Sequence, residues 1–257
     1  MDTVSGLDPQ FLYLFAGALA LFAGMVKGVV GFAMPMILIS GLSSVMPPDV
    51  ALAGLIGPTL VTNTWQALRQ GPGAAVATTR MFAPFLAAGA VMLVLSAQLV
   101  PILPSEALLL IIAVPITGFG LLMLSGRQLV LPARPGRGLQ GAIGAVTGVI
   151  GGMTGVWGPT TVAMLTAMQT EKRDQMRIQG VIYGCGAVLL AAAHLGSGVL
   201  NAATVPLSLA LIAPALLGLW LGFRIQDRID QVLFRRLTLI VLVLAGLNLL
   251  RRGLMTV

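Results

Sequence analysis

Charge is what this chain has least of. Of its 257 residues only 9% are Asp, Glu, Lys or Arg, whereas 57% are hydrophobic; a soluble domain carries about 25% charged residues. Together with a mean hydropathy of +0.98, this excludes an aqueous globular fold and defines an integral membrane protein. The one cysteine, Cys185, excludes an internal disulfide and a cysteine metal cluster. A single histidine, His194, excludes a histidine metal centre, so no metal and no cofactor is expected. No sequence resembling a phosphate-binding loop is present, which removes ATP as a direct driver. The eight acidic residues fall at the termini or at the ends of apolar runs, leaving no buried carboxylate to carry a proton. Residues 1–10 contain Asp2 and Asp8 but no basic residue, so no cleaved leader is expected and the first apolar run should be retained. The net charge of +7 does not indicate a nucleic-acid partner. Its basic residues flank apolar runs, where they set topology in a lipid bilayer.

What is present is apolar sequence in eight stretches: 11–45, 50–68, 81–100 and 107–124, then 139–168, 178–195, 205–223 and 232–250. The plan repeats, with one membrane repeat over 1–126, a basic linker over 127–138, and a second repeat over 139–257. The first stretch of each half is interrupted. Gly24, Gly28, Gly31 and Pro35 punctuate one; Gly148, Gly152, Gly155 and Pro159 punctuate the other, each 124 positions after its partner. Glycine and proline weaken helices. Broken backbone at membrane depth is tolerated only where protein covers it or it lines a cavity. Matched interruptions in two halves are a pointer to a transporter's binding site.

The basic residues choose between two topologies. If each interrupted run crosses the membrane once, Arg69, Arg80, Arg127, Arg134 and Arg137 lie on one face. Lys172, Arg173, Arg177, Arg224, Arg228, Arg235 and Arg236 then lie on the other. If each run folds back as a hairpin, all of these share one face and only Arg251 and Arg252 dissent. The positive-inside rule prefers the hairpins. The expected fold is therefore all-α, with two inverted repeats. Each repeat is a Gly/Pro-broken helical hairpin followed by three transmembrane helices, and both termini lie outside the cytoplasm.

The paired motifs GMVKGVVGFAMP (24–35) and GVIGGMTGVWGP (148–159), their spacing and the basic linker resemble the TauE/SafE family of sulfite and organosulfonate permeases. The resemblance covers nearly the whole chain. It implies export or uptake of a small sulfur-containing anion (sulfite, sulfoacetate or a related organosulfonate) across the bacterial cytoplasmic membrane, and no enzymatic activity. Alternating access is the expected mechanism. A channel, or a carrier for another carboxylate or oxyanion, remains the alternative, and a homodimer is left open. The first motif departs from a small-residue pattern by carrying Lys27.

The chemistry expected at the breaks is that of helix N-termini, which expose unpaired N–H groups and about half a positive charge. Two such ends, near 32–35 and 156–159, would converge on one cavity and hold an oxyanion. Glycines at 28, 31, 152 and 155 would let the anion approach the backbone. Lys27 adds a full charge, which costs about 2.5–3.5 kcal/mol at the middle of a membrane helix on insertion scales. It either faces the substrate or snorkels from a shallow tip. The expected substrate-binding set is Lys27, Gly28, Gly31, Asn63, Gly152, Thr154, Gly155, Thr160, Gln179 and Tyr183. Asn63 leads the polar members, with Thr62, Thr64 and Gln66 beside it and Thr161 beside Thr160. The alternative for each is helix–helix hydrogen bonding. Trp65 and Trp157 wall the cavity or serve as packing and interface anchors. Glu171, Arg173, Asp174 and Arg177 read as a cytoplasmic charge cluster. The segment from His194 to Ser197 does not make a hydrolase, because a serine three positions from its own histidine cannot give separate nucleophile and base elements.

Overall fold

A computed structural model describes residues 8–97, 105–127, 130–133, 135–154, 158–196 and 198–255. Among these residues the protein is all helical, without strands. Gly155, Trp157, Ser197 and Arg134 lie outside the described residues.

The first interrupted run forms α1 (Pro9–Val30) and α2 (Met34–Leu42). Asp8 caps α1 by accepting from the Gln10 N–H at 2.9 Å, and Pro9 fills the first turn, where its missing N–H has no cost. α1 stops at Gly31, whose φ of 88° is left-handed and whose N–H donates to the Lys27 carbonyl. Chain direction then reverses through Phe32 and Ala33. A Cβ on Gly41 would lie 2.9 Å from Leu19 Cδ1, so α2 lies back along α1. The expected hairpin is present in this first run.

α3 (Pro48–Leu68) follows, then α4 (Pro72–Met81), α5 (Ala83–Ala97) and α6 (Ser105–Leu124). The second interrupted run gives α7 (Arg137–Thr154) and α8 (Gly158–Ala167). After it come α9 (Lys172–Gly196), α10 (Val205–Ala210), α11 (Ile212–Arg228) and α12 (Gln231–Met255). Four helices among the described residues are long and apolar enough to cross a membrane: Gln10–Val30, Lys172–Gly196, Val205–Arg228 and Gln231–Asn248. The pair α4 and α5, bent by 69°, makes a fifth if it is one span. α3 has the length, but the polar run from Thr62 to Gln66 dilutes its hydropathy.

Two details depart from the sequence reading. The stretch expected over 81–100 is preceded by α4, which starts at Pro72 after Gly71 with φ of 91°. The stretch over 205–223 divides at Leu211 into α10 and α11. Both divisions have the same cause: Pro84 and Pro214 sit in the first turn of the helix that follows, where proline cannot continue the preceding hydrogen-bond ladder.

The chain packs as two compact units. One comprises Met1–Gln70 with Gln179–Asp230, the other Gly71–Ile178 with Gln231–Val257, so each takes segments from both sequence halves. In the first unit Ala16, Ala20 and Ala23 of α1 pack with Met34, Leu38 and Leu42 of α2, Leu55 of α3, and Leu211 and Ala215. α1 also crosses α11 at backbone distance: a Cβ on Gly28 would lie 2.7 Å from Gly222 Cα. In the second unit α7 crosses α5 in the same manner, and a Cβ on Gly148 would lie 2.9 Å from the carbonyl carbon of Gly89. Small residues allow such crossings, which gain dispersion contacts where lipid offers no hydrophobic drive for association.

Candidate functional site

The break after α1 places the polar chemistry of the first unit. Lys27 lies one turn before Gly31 and is 1% exposed. Its Nζ donates to Thr62 Oγ1 at 3.0 Å and to Asn63 Oδ1, both on α3. Thr62 passes its own proton to the Pro58 carbonyl at 2.6 Å, which leaves its oxygen free to accept from Lys27. One turn further along α3, Gln66 Nε2 donates to the Gly31 carbonyl at 3.1 Å. The sequence spacing explains this grouping. Thr59, Thr62, Asn63 and Gln66 lie three or four residues apart, which puts them on one stripe of a helix. All four are buried, and the stripe faces the broken end of α1.

The turn itself is strained. Ala33, the N-cap of α2, has φ of 76° and ψ of −18°, a left-handed conformation that a residue with a Cβ adopts at a cost of about 1–2 kcal/mol. No side chain caps α2. Strain of this kind collects at functional turns, where surrounding structure enforces it.

α9 approaches the stripe from a second side. A Cβ on Gly180 would lie 2.8 Å from the Gln66 carbonyl carbon, and one on Gly184 would lie 3.8 Å from Asn63 Cβ. Gln179 and Tyr183 each precede one of these glycines and are buried. Neither amide atom of Gln179 has a hydrogen-bond partner, and the Thr59 hydroxyl is likewise unbonded. A buried polar group left unmade costs about 1–3 kcal/mol, and its presence calls for an explanation. Among the described residues, Lys27 is the only buried side chain of the Lys, Arg, Asp and Glu types. No carboxylate lies within ion-pair distance of it among them.

The remaining expected site residues are distributed differently. Gly28 faces α11 at the close crossing, so its lack of a side chain is accounted for by helix packing. Gly152 and Thr154 occupy the last turn of α7. Thr160 lines an apolar cavity of about 940 Å³ in the second unit, bounded by Ile116, Phe119, Val146, Ile150 and Met164 among others. In that unit Arg177 Nε donates to Thr78 Oγ1 at 2.8 Å, and Arg177 pairs with Asp174 at 3.0 Å. Trp65 meets Phe223 of α11 edge to face, with ring centroids 6.1 Å apart.

One feature of the first unit escaped the sequence reading. Arg69, at the C-cap of α3, donates to Gln226 Oε1 at 3.0 Å and pairs with Asp227 at 2.5 Å. Its guanidinium also lies 4.1 Å above the Phe223 ring. The signal was faint: a basic residue closing one apolar run and a Gln–Asp pair closing another. Nothing in their spacing connects residues 157 and 158 positions apart.

Helices long and apolar enough to span a bilayer, with a break beside a buried lysine held by neutral partners, describe a multi-pass helical membrane protein. The family model described as sulfite exporter TauE/SafE matches residues 16–249. The chain belongs to that family, which is a family of transporters. No curated protein and no solved structure matched the chain.

Proposed function

We propose that this protein is a secondary transporter that carries a small sulfur oxyanion (sulfite or an organosulfonate) across the cytoplasmic membrane by alternating access. Lys27, with Thr62, Asn63 and the turn at Gly31, forms the centre that binds the anion. The observation that carries this reading is Lys27 itself: a buried lysine whose partners are neutral acceptors and which has no carboxylate beside it among the described residues. An ammonium has three N–H donors, and Thr62 and Asn63 take two of them. The third donor and the uncompensated charge suit an anion. Family membership supplies the sulfur chemistry.

An inverted-repeat architecture is supported by recurrence. The small-residue crossing of α1 on α11 has its counterpart in that of α7 on α5, with Gly24 and Gly148 occupying equivalent crossing positions. The division at Phe82 likewise has its counterpart at Leu211. With the basic helix ends on the cytoplasmic face, both termini lie outside it.

Binding to purified protein tests the proposal. Lys27→Met keeps the length of the side chain and removes its charge. We expect it to remain folded and to lose sulfite binding by at least tenfold, about 1.4 kcal/mol. Unchanged affinity in calorimetry would remove Lys27 from the site.

A further inference from the structure

Resting on the assignment of Lys27 as the anion centre, we infer that the site selects a singly charged oxyanion over a doubly charged one of the same size. A count of charge carries the inference. Of the buried polar side chains among the described residues, Lys27 alone carries a formal charge; the others are Thr, Ser, Asn and Gln. The elements packed around it in the same unit add no second cation at depth. α2 carries no charged residue. On α3, Asp49 is exposed and Arg69 is engaged with Gln226 and Asp227 at the helix end. On α11, Arg224, Asp227 and Arg228 are exposed. The part of α9 in this unit carries no Lys, Arg, Asp or Glu.

A singly charged anion on the Lys27 ammonium makes a neutral pair, the only arrangement of charge that burial favours. A doubly charged anion leaves one negative charge without a buried cation to balance it among the described residues. The free polar groups refine the match without altering the count. The Thr59 hydroxyl stands one turn before Asn63 on the same stripe, and the Gln179 amide is carried on the helix that packs at Gln66 and Asn63. Neither has a partner, and both can donate to sulfonate oxygens while adding no charge. The Gln179 carbonyl oxygen is also an acceptor, which suits an anion bearing a proton of its own, such as bisulfite.

The test uses the full chain in detergent or nanodiscs, at one pH and one ionic strength, with calorimetric affinities for sulfamate, methanesulfonate and sulfate. Sulfamate and sulfate place four heavy atoms around sulfur and differ by one charge. We expect both singly charged anions to bind at least tenfold more tightly than sulfate. Sulfate binding as tightly as sulfamate, with both lost in Lys27→Gln, overturns the charge rule and leaves the site in place. Sulfamate binding equally to wild type and to folded Lys27→Gln overturns the site as well. So does a folded wild type that binds none of the three.

Discussion

Adding one methyl group to α1 at two positions should have opposite effects. A Cβ on Gly28 would sit 2.7 Å from Gly222 Cα and 2.9 Å from the Gly222 carbonyl carbon. The Leu219 carbonyl oxygen lies closer still, and ordinary contact begins at 3.4 Å, so α1 and α11 must move apart, because the obstructing atoms are backbone that cannot rotate away. Overpacking of this kind costs about 1–3 kcal/mol. Replacing glycine by alanine in a helix returns about 0.5–1 kcal/mol. Gly28→Ala should therefore destabilise the protein by about 1 kcal/mol at the middle of these ranges and by no more than about 2.5 kcal/mol. Gly17 lies on the same helix with nothing within 4 Å of its missing Cβ, so Gly17→Ala takes only the gain. Reversible unfolding in mixed micelles, followed by far-ultraviolet circular dichroism, compares the two. Because Lys27 adjoins Gly28, the separated helices should also bind sulfite more weakly. Equal stability of the two variants would refute the close crossing and every inference drawn from the position of Gly28.

Three further expectations follow from the same geometry. Asn63→Leu, which keeps bulk and removes the acceptor, should cost the folded protein at least tenfold in sulfite affinity in calorimetry; unchanged affinity would detach Asn63 from the centre. Arg69→Ala removes a partly exposed ion pair and a cation–π contact, so unfolding should show a loss of about 1 kcal/mol or less with substrate affinity unchanged; a large loss of affinity would make the Arg69 cluster part of the site. In a Cys185→Ser background, single cysteines at Arg127 and Arg228 should react with an impermeant thiol reagent only from the cytoplasmic side. Labelling from opposite sides would end the inverted topology.

The sequence made some of this legible and concealed the rest for definite reasons. The hairpin at α1 and α2 was readable because a glycine in an apolar run needs a cause, and Gly31 has one in its left-handed φ of 88°. Lys27 and Asn63 stood out because polar groups at membrane depth must find partners. That they find each other is a matter of how α1 lies on α3, which packing decides and periodicity does not. Gly28 shows the opposite case. Its place in a motif suggested close approach of a ligand, yet a missing Cβ serves a neighbouring helix equally well, and only the position of Gly222 separates the two. The left-handed Ala33 carried no sequence signal, since alanine is ordinarily a helix former. The divisions at Phe82 and Leu211 rest on Pro84 and Pro214, prolines that a hydropathy reading absorbs into a continuous apolar run.

The central claim is that the substrate rests on Lys27. Bromomethanesulfonate is small and singly charged, and its bromine can be located by anomalous diffraction from crystals of the protein grown with it. The account predicts one peak in the first unit, with a sulfonate oxygen within hydrogen-bonding distance of Lys27 Nζ. A peak in the apolar cavity beside Val146 and Met164, with Lys27 still held only by Thr62 and Asn63, would contradict it.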